Sequence, residues 1–261
     1  MSLSNATKEE IKDLLVNIVR SKLNNYNPET SYMPFHFRLL GKDRYAMASF
    51  LHSMSTTFGM SIWEQVAVVL AKGQGNYGER QFKLLGEIDN KTENVIQDIY
   101  YRLRKGELIS NKIEETEQIR KIIAKGEKKK DPDSIVDVLI KIGTQENYFD
   151  ITSAKPNMKE FASLKLKLLR WTALRLSYDA NANVYTRLAI PYNPYHPEPY
   201  ERWTLKGLFD LEHKEILVGD EFWNFVACDN IYDKLLDIFE DAGAILKAEI
   251  DSRFAEFKQG R

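Results

Sequence analysis

Two aspartates lie within short apolar runs that are close together in the sequence. Asp137 is in VDVLIKI and Asp150 is in YFDIT, and GTQEN separates the two runs. Both runs are typical of strands, and the connection predicts a hairpin. Side by side in a hairpin, the two carboxylates would repel each other and lose hydration. A divalent cation removes both costs, and oxygen ligands on neighbouring strands suit Mg²⁺.

The chemistry of such a site is the hydrolysis of a phosphodiester. The ion activates a water and stabilises developing charge, and a nearby lysine positions the water or neutralises that charge. An acid, a spacer and then acid-x-lysine on the adjacent strand is the nuclease pattern known as PD-(D/E)XK. Here Thr152 occupies the expected lysine position. Three alternatives stay open: Lys155 at the strand end, a register in which Ser153-Ala154-Lys155 is the motif, and Lys141. We favour Lys155.

Helical patterns precede the predicted hairpin. Ser4 or Asn5 can cap the first helix, and apolar residues recur at helical spacing from it onward. A second helix is predicted over residues 44–52 and ends at STTFG, and SIWEQVAVVLAK forms the next. GQGNYGE is predicted to be a loop, and it lacks the lysine-and-hydroxyl ending of a phosphate-binding loop. Residues 90 to about 124 are again predicted to be helical, and the isoleucines from Ile113 onward suit a second helix there.

The second half of the chain alternates helices and strands. Asn157 and Glu160 predict a capping box for the helix that follows them. NVYTRLAI and KEILVG are predicted strands, and the proline-rich PYNPYHPEPY between them must be an extended loop. One long helix or two cover residues 230–257.

These elements predict a mixed α/β protein, with a central β-sheet flanked by helices. We expect a single domain over residues 1–261, with a helical N-terminal part (1–130), a catalytic sheet core (131–218) and a helical C-terminal part (219–261).

Composition limits the classes of function. Of 261 residues, 43% are hydrophobic and 29% are charged, which is ordinary for a globular protein, and the formal net charge is −1. A nucleic-acid partner would therefore have to meet a local basic surface. The single cysteine, Cys228, excludes an intramolecular disulfide. Neither a membrane span nor a signal pattern is evident, so we expect a soluble cytoplasmic protein.

Several blocks together carry a resemblance to a known family. They are PFHFRLLG, SMSTTFGMSIWEQVA, VDVLIKI, YFDITSAKPN with LKLKLLRWTALR, IPYNPYHPEPYERW and GDEFWNFVACDNIYDKLLDIFEDAG. Over about residues 34–243, the chain resembles type II restriction endonucleases of the PD-(D/E)XK superfamily, in the TdeIII/MjaII-like group. The resemblance implies a restriction-endonuclease-like fold and a Mg²⁺-dependent homodimer. Such an enzyme would cut double-stranded DNA at a short, near-palindromic site.

The resemblance also implies roles for single residues. Asp137 matches the first motif acid, Asp150 the second, and Lys155 the catalytic lysine before Pro-Asn. Glu64 matches a helical glutamate that points back at the metal, so the expected metal ligands are Asp137, Asp150 and Glu64. Thr152 departs from the Glu-x-Lys pattern, which leaves the lysine role open and admits an impaired enzyme.

Two segments offer candidate contacts to DNA. LKLKLLRW supplies Lys165, Lys167 and Arg170, which could meet phosphates beside the cut. In PYNPYHPEPYERW, Asn193 can pair with adenine and Arg202 with guanine. The alternatives are a solvated helix face and a rigid loop over the core.

Two other functions compete with a restriction enzyme. The first is a non-restriction nuclease of the same motif class, acting in DNA repair or RNA processing. The second is a catalytically decayed DNA-binding protein, which the helix-rich ends and Thr152 would suit.

Overall fold

A five-stranded mixed sheet with helices on both faces organises the chain. The computed structural model describes residues 3–27, 32–123, 128–129, 134–201, 205 and 207–258. The strands are β1 (Tyr77–Lys83), β2 (Ile88–Asp89), β3 (Lys128–Lys129), β4 (Ile135–Ile142), β5 (Gln145–Ile151), β6 (Asn183–Ile190) and β7 (Ile216–Val218). The helices are α1 (Asn5–Asn25), α2 (Pro34–Leu40), α3 (Lys42–Thr57), α4 (Trp63–Gly73), α5 (Asn90–Lys105), α6 (Lys112–Ile122), α7 (Met158–Tyr178), α8 (Asp220–Ala227) and α9 (Tyr232–Lys258).

The sheet has an antiparallel half and a parallel half. Its strand order is β1-β4-β5-β6-β7, and β2 pairs separately with β3. β1, β4 and β5 are antiparallel, while β5, β6 and β7 are parallel. The predicted hairpin is confirmed as β4 and β5, but its turn is only Gly143-Thr144, because Gln145 already pairs with Ile142.

Each face of the sheet is covered by its own layer of helices. Val138 and Phe149 pack in one core with residues of α1, α4, α8 and α9. Leu139 and Tyr148, their neighbours along the strands, pack in the other core with residues of α5, α6 and α7. This alternation is the period-two burial expected of a strand covered on both faces, and it confirms the predicted α/β class.

Two local predictions are wrong. GQGNYGE is not only a loop, because strand β1 begins within it at Tyr77 and pairs with β4 along the sheet edge. STTFG does not break the helix: α3 continues through a π-helical segment, Phe58–Ile62, into α4. The glycine that suggested a loop, Gly78, lies within this strand where α4 packs closely against it. A Cβ added at Gly78 would lie 3.3 Å from the Val68 carbonyl oxygen.

Other local predictions are confirmed. The Ser4 side chain caps α1 by accepting a hydrogen bond from the Thr7 N–H. Both hydrogen bonds of the predicted capping box are present at α7, between Asn157 and Glu160. The C-terminal segment ends in one long helix, α9. None of the helices in the described ranges is both long enough and apolar enough to cross a membrane.

Candidate active site

The two aspartates lie opposite each other on β4 and β5. Val138 pairs with Phe149, and the next step of the same register places Asp137 opposite Asp150. Since Val138 and Phe149 face the α4 layer, alternation turns both carboxylates toward the α7 layer. The Ile151 N–H donates a 2.8 Å hydrogen bond to Oδ2 of Asp137. The hairpin thus holds two acids side by side, and Asp150 is only 4% exposed.

The environment of Asp137 disfavours its ionised form. Burial is the largest cause and the neighbouring charge of Asp150 is the next, and together they raise the pKa of Asp137 to about 6. The Ile151 N–H and the positive charge of Lys167 act in the opposite direction. A desolvated acid pair of this kind fits a divalent cation, which stabilises both carboxylates in their charged forms.

The lysine beside this pair comes from α7. The Lys167 ammonium is ion-paired with Oδ2 of Asp150 and lies 4.8 Å from the centre of the Trp171 ring. Its side chain is partly buried, so the ion pair is shielded from solvent. The sequence predicted Lys167 as a DNA contact, and the structure brings it to the acids instead.

The lysines predicted for this role lie elsewhere. The Lys155 ammonium is 5.1 Å from the centre of the ring of Tyr195, a residue of the proline-rich loop that follows β6. Lys141 is four residues along β4 from Asp137, about 13 Å at the usual rise per residue. Its ammonium pairs with Glu146 at 3.4 Å near the hairpin turn.

Glu64 lies near the acid pair but is held by other residues. It is in the first turn of α4 and is 3% exposed. Nε of Arg80 donates to it at 3.0 Å, and Nε2 of Gln81 donates at 3.1 Å. Gln81 is at the β1 position opposite Asp137 and has a positive φ of 50°, which is unusual for a residue with a side chain. Sequence reasoning missed Arg80 and Gln81 because it missed β1.

The described residues do not gather three acidic, histidine or cysteine side chains around one point. The negative charge of Glu64 is nevertheless close enough to raise the pKa of Asp137. Asp137 and Asp150 lie opposite each other, and all three residues as metal ligands stay predictions.

Lys165 is an interior residue, which does not fit its predicted contact with DNA. Its side chain is fully buried, and its ammonium lies 2.7 Å from Glu115 and 2.8 Å from Glu215. The sequence held a signal for this position. Phe161, Lys165, Leu168 and Thr172 follow one helical stripe, and all four are buried.

The remaining predicted DNA contacts differ in their surroundings. Arg170 donates to Glu93 at 2.7 Å. The Asn193 amide holds its own loop, since its Nδ2 donates to the Glu198 carbonyl at 2.7 Å and its Oδ1 accepts from the Tyr195 N–H. Arg202 lies outside the described residues. Contacts of these three residues to DNA stay predictions.

A cleft of about 680 Å³ opens at the edge of the sheet where Asp150 lies. The chain after Asp150 forms one wall, the end of β6 a second, and the junction of α3 and α4 a third. Its lining residues are Ser55, Thr56, Phe58, Gly59, Trp63, Ile151, Thr152, Ser153, Ala154, Pro191 and Tyr192. The lining begins directly after Asp150, at Ile151, and does not include the acid pair itself.

The mixed sheet flanked by helices is consistent with a restriction-endonuclease-like fold. A family model described as "Type II restriction endonuclease, HinfI" matches residues 3–243. The chain therefore belongs to the HinfI family of type II restriction endonucleases, and site-specific cleavage of DNA is the activity of that family. The resemblance to type II restriction endonucleases is confirmed.

Curated relatives cover nearly the whole chain. The type II restriction enzyme MjaII of Methanocaldococcus jannaschii is 25% identical, over 97% of this chain and 74% of its own length. HgiCII of Herpetosiphon aurantiacus is 23% identical, over 97% of this chain and 99% of its own. HgiEI of the same organism is 22% identical, over 98% of this chain and 100% of its own.

Proposed function

We propose that this chain is a Mg²⁺-dependent type II restriction endonuclease. It would act in the cytoplasm as a homodimer and cut both strands of a short palindromic site in double-stranded DNA. The observation that carries the proposal is the placement of Asp137 opposite Asp150, with the Lys167 ammonium on the second acid. The family membership supports the choice of DNA over other phosphodiesters.

Asp137 and Asp150 would hold the ion through their carboxylate oxygens. When bound, Mg²⁺ supplies a Lewis acid for the phosphate and lowers the pKa of a water. The protein contributes a constrained pair of ligands, because Asp150 pairs with Leu188 in the β5–β6 ladder and Asp137 adjoins Val138, the last β4 residue paired with β5. The Ile151 N–H fixes the orientation of the Asp137 carboxylate before any ligand arrives.

Lys167 would supply the positive charge that the motif requires. Its ammonium lies over the Trp171 ring, which limits the positions that this charge can take. At Oδ2 of Asp150, the ammonium is placed to orient an attacking water or to neutralise charge on the phosphate. Lys167 of α7 would thus take the role that was predicted for Lys155 or Lys141.

Glu64 would lie beside the proposed cation site of Asp137 and Asp150. Burial and two side-chain donors keep its carboxylate fixed, with Arg80 paired to it at 2.9 Å. We propose that Glu64 adds negative charge to the cation site, either as a ligand or through a shared water.

The DNA would lie along the cleft at the end of β5. Arg170, Asn193 and Arg202 stay in our proposed contact set, whereas Lys165 leaves it because its ammonium is enclosed. Lys167 moves from phosphate contact to the reaction centre.

Helix α2 is the surface that we propose for the second copy. No residue of α2, which is described throughout, is buried. Phe35 is 84% exposed and Leu39, one turn later, is 82% exposed. Aromatic side chains bury ~150–250 Å² each, so this patch supplies a substantial part of the roughly 800 Å² per partner of a standard interface. Two copies related by a two-fold axis match the symmetry of a palindromic site.

A plasmid digestion tests the proposal. The purified protein is incubated with a supercoiled plasmid in MgCl₂ or in EDTA, and the fragment ends are sequenced. Discrete fragments that share one end sequence, in MgCl₂ only, are the expected result. A smear would favour the non-restriction nuclease. Binding without cleavage, unchanged in Asp137→Asn and Asp150→Asn, would favour the decayed DNA-binding protein.

A further inference from the structure

The last six residues of α3 expose polar side chains and include no Asp, Glu, Lys or Arg. Within α3, which is described throughout, Phe50 alone is buried. The segment from residue 52 to 57 is HSMSTT, and His52, Ser55 and Thr56 are exposed. A helix that buries so little gains little stability from packing, so its sequence is free to serve a ligand.

This segment is a ridge between two clefts. Ser55 and Thr56 line the cleft that adjoins Asp150. On the other side, His52, Ser53 and Thr56 line a second cleft of about 680 Å³, together with polar residues of α1. The π-helical segment follows directly and joins the ridge to α4, the helix that carries Glu64. π-Helical turns are frequent at functional sites.

The hydroxyl groups of Ser55 and Thr56 already donate hydrogen bonds within α3. Oγ of Ser55 donates to the Leu51 carbonyl at 3.0 Å, and Oγ1 of Thr56 donates to the His52 carbonyl at 3.1 Å. A hydroxyl group has one hydrogen and two lone pairs. Toward the cleft, both side chains therefore present acceptors only.

We propose that the end of α3 reads base edges in the major groove, and that Ser55 and Thr56 accept hydrogen bonds from exocyclic amino groups. An α-helix fits the major groove but not the minor groove. There, adenine N6 and cytosine N4 are donors, whereas thymine O4 and guanine O6 are acceptors that such hydroxyl groups repel. The inference rests on the proposed function, in that double-stranded DNA is the substrate.

The substitutions Ser55→Ala and Thr56→Val test this reading. Back-bonding hydroxyl groups slightly destabilise helices, so their removal leaves the fold intact, and urea unfolding verifies this. On a duplex carrying the parent's own site, each variant should lose about 10-fold or more in kcat/KM, the effect of about one lost hydrogen bond. Ser252→Ala, an exposed serine of α9, is the matched control and should cut like the parent.

Base analogues give a measurement on the unaltered protein. Purine replaces adenine, or 2-pyrimidinone replaces cytosine, at one position of the site at a time, so that a single amino group is missing. At one position or more the parent should lose rate, and the variant lacking the matching hydroxyl should be insensitive to that same replacement.

The outcomes separate the two proposals. If the parent cuts at discrete sites, the variants keep its rate and neither variant abolishes an analogue effect, then base reading by α3 is overturned. The proposed function would stand in that case. A parent that cuts nothing, or that cuts without sequence preference, overturns the proposed function and this inference with it.

Discussion

Lys167 and Lys155 offer a direct comparison of two lysines for one role. Lys167→Ala should lower the cleavage rate by about 100-fold or more, since it removes the charge beside Asp150. Lys155→Ala should remain within a few-fold of the parent, because its ammonium lies on the Tyr195 ring. Single-turnover cleavage measures both, and DNA binding in CaCl₂ should survive in each variant. An inactive Lys155→Ala variant together with an active Lys167→Ala variant would instead support Lys155 as the catalytic lysine.

Asp137 predicts a pH dependence of stability in the metal-free protein. Its pKa is about 6 in the folded state, against about 4 in an unfolded chain. The native state therefore holds the proton more tightly, and this contribution to the free energy of unfolding is complete below pH 4 and lost as the pH rises through 6.

Asp137→Asn removes this titration and keeps an acceptor for the Ile151 N–H. The variant should exceed the parent in free energy of unfolding at pH 8, by ~1–3 kcal/mol, and the gap should close near pH 4. Urea unfolding at both pH values measures the difference. Equal free energies of unfolding for the variant and the parent at pH 8 would show that ionisation of Asp137 does not destabilise the folded state.

At this scale, the sequence predicted that the two acids lie side by side, but not which lysine lies beside them. Asp137 and Asp150 could be paired from strand alternation and one short connection, both of which are local. Which lysine approaches them depends on how α7 crosses the sheet, and that is a tertiary contact. Lys165 and Lys167 are two residues apart on one helix, so one faces the interior and the other the acids.

At the scale of elements, Lys165 fastens α7 to its neighbours. Its ammonium pairs with Glu115 of α6 and with Glu215, which directly precedes β7. Burial alone would lower the pKa of Lys165, but the charges of Glu215 and Glu115 outweigh burial and raise it. Lys112 adds a second ammonium 3.5 Å from Glu215, so the buried cluster contains two cations and two acids.

Lys165→Met should destabilise the protein by about 3–5 kcal/mol, because it leaves two carboxylates buried with less compensating charge. Lys159→Met, at an exposed position of the same helix, should change the free energy of unfolding by less than about 0.5 kcal/mol. Urea unfolding measures both. A stable Lys165→Met with a selective loss of DNA binding would instead support the predicted phosphate contact.

Element prediction succeeded where the signal was local. The capping box of α7 depends on Asn157 and Glu160 alone, and both hydrogen bonds formed as predicted. Strand β1 failed because its stability comes from pairing with β4, and YGERQFK has no apolar alternation of its own. The continuation past STTFG failed for a similar reason, since Phe58 and Trp63 pack against Phe239 of the distant α9.

At the scale of the whole molecule, the proposed cleavage of both strands requires two copies. Phe35→Asp places a charge on the exposed face of α2 and should convert a dimer to a monomer in analytical ultracentrifugation. The variant should also nick supercoiled plasmid before linearising it, because the two strands are then cut in separate encounters. Ile109→Asp changes an equally exposed apolar residue elsewhere and should remain dimeric. An unaltered dimer in Phe35→Asp would place the interface on another surface.

The most direct test of the cation site is an anomalous diffraction map from crystals soaked in MnCl₂. We expect one strong peak within about 2.3 Å of a carboxylate oxygen of Asp137 and of Asp150, and no such peak in Asp150→Asn crystals. A peak at another location, or an empty acid pair in crystals of a preparation that cuts DNA, would contradict this expectation.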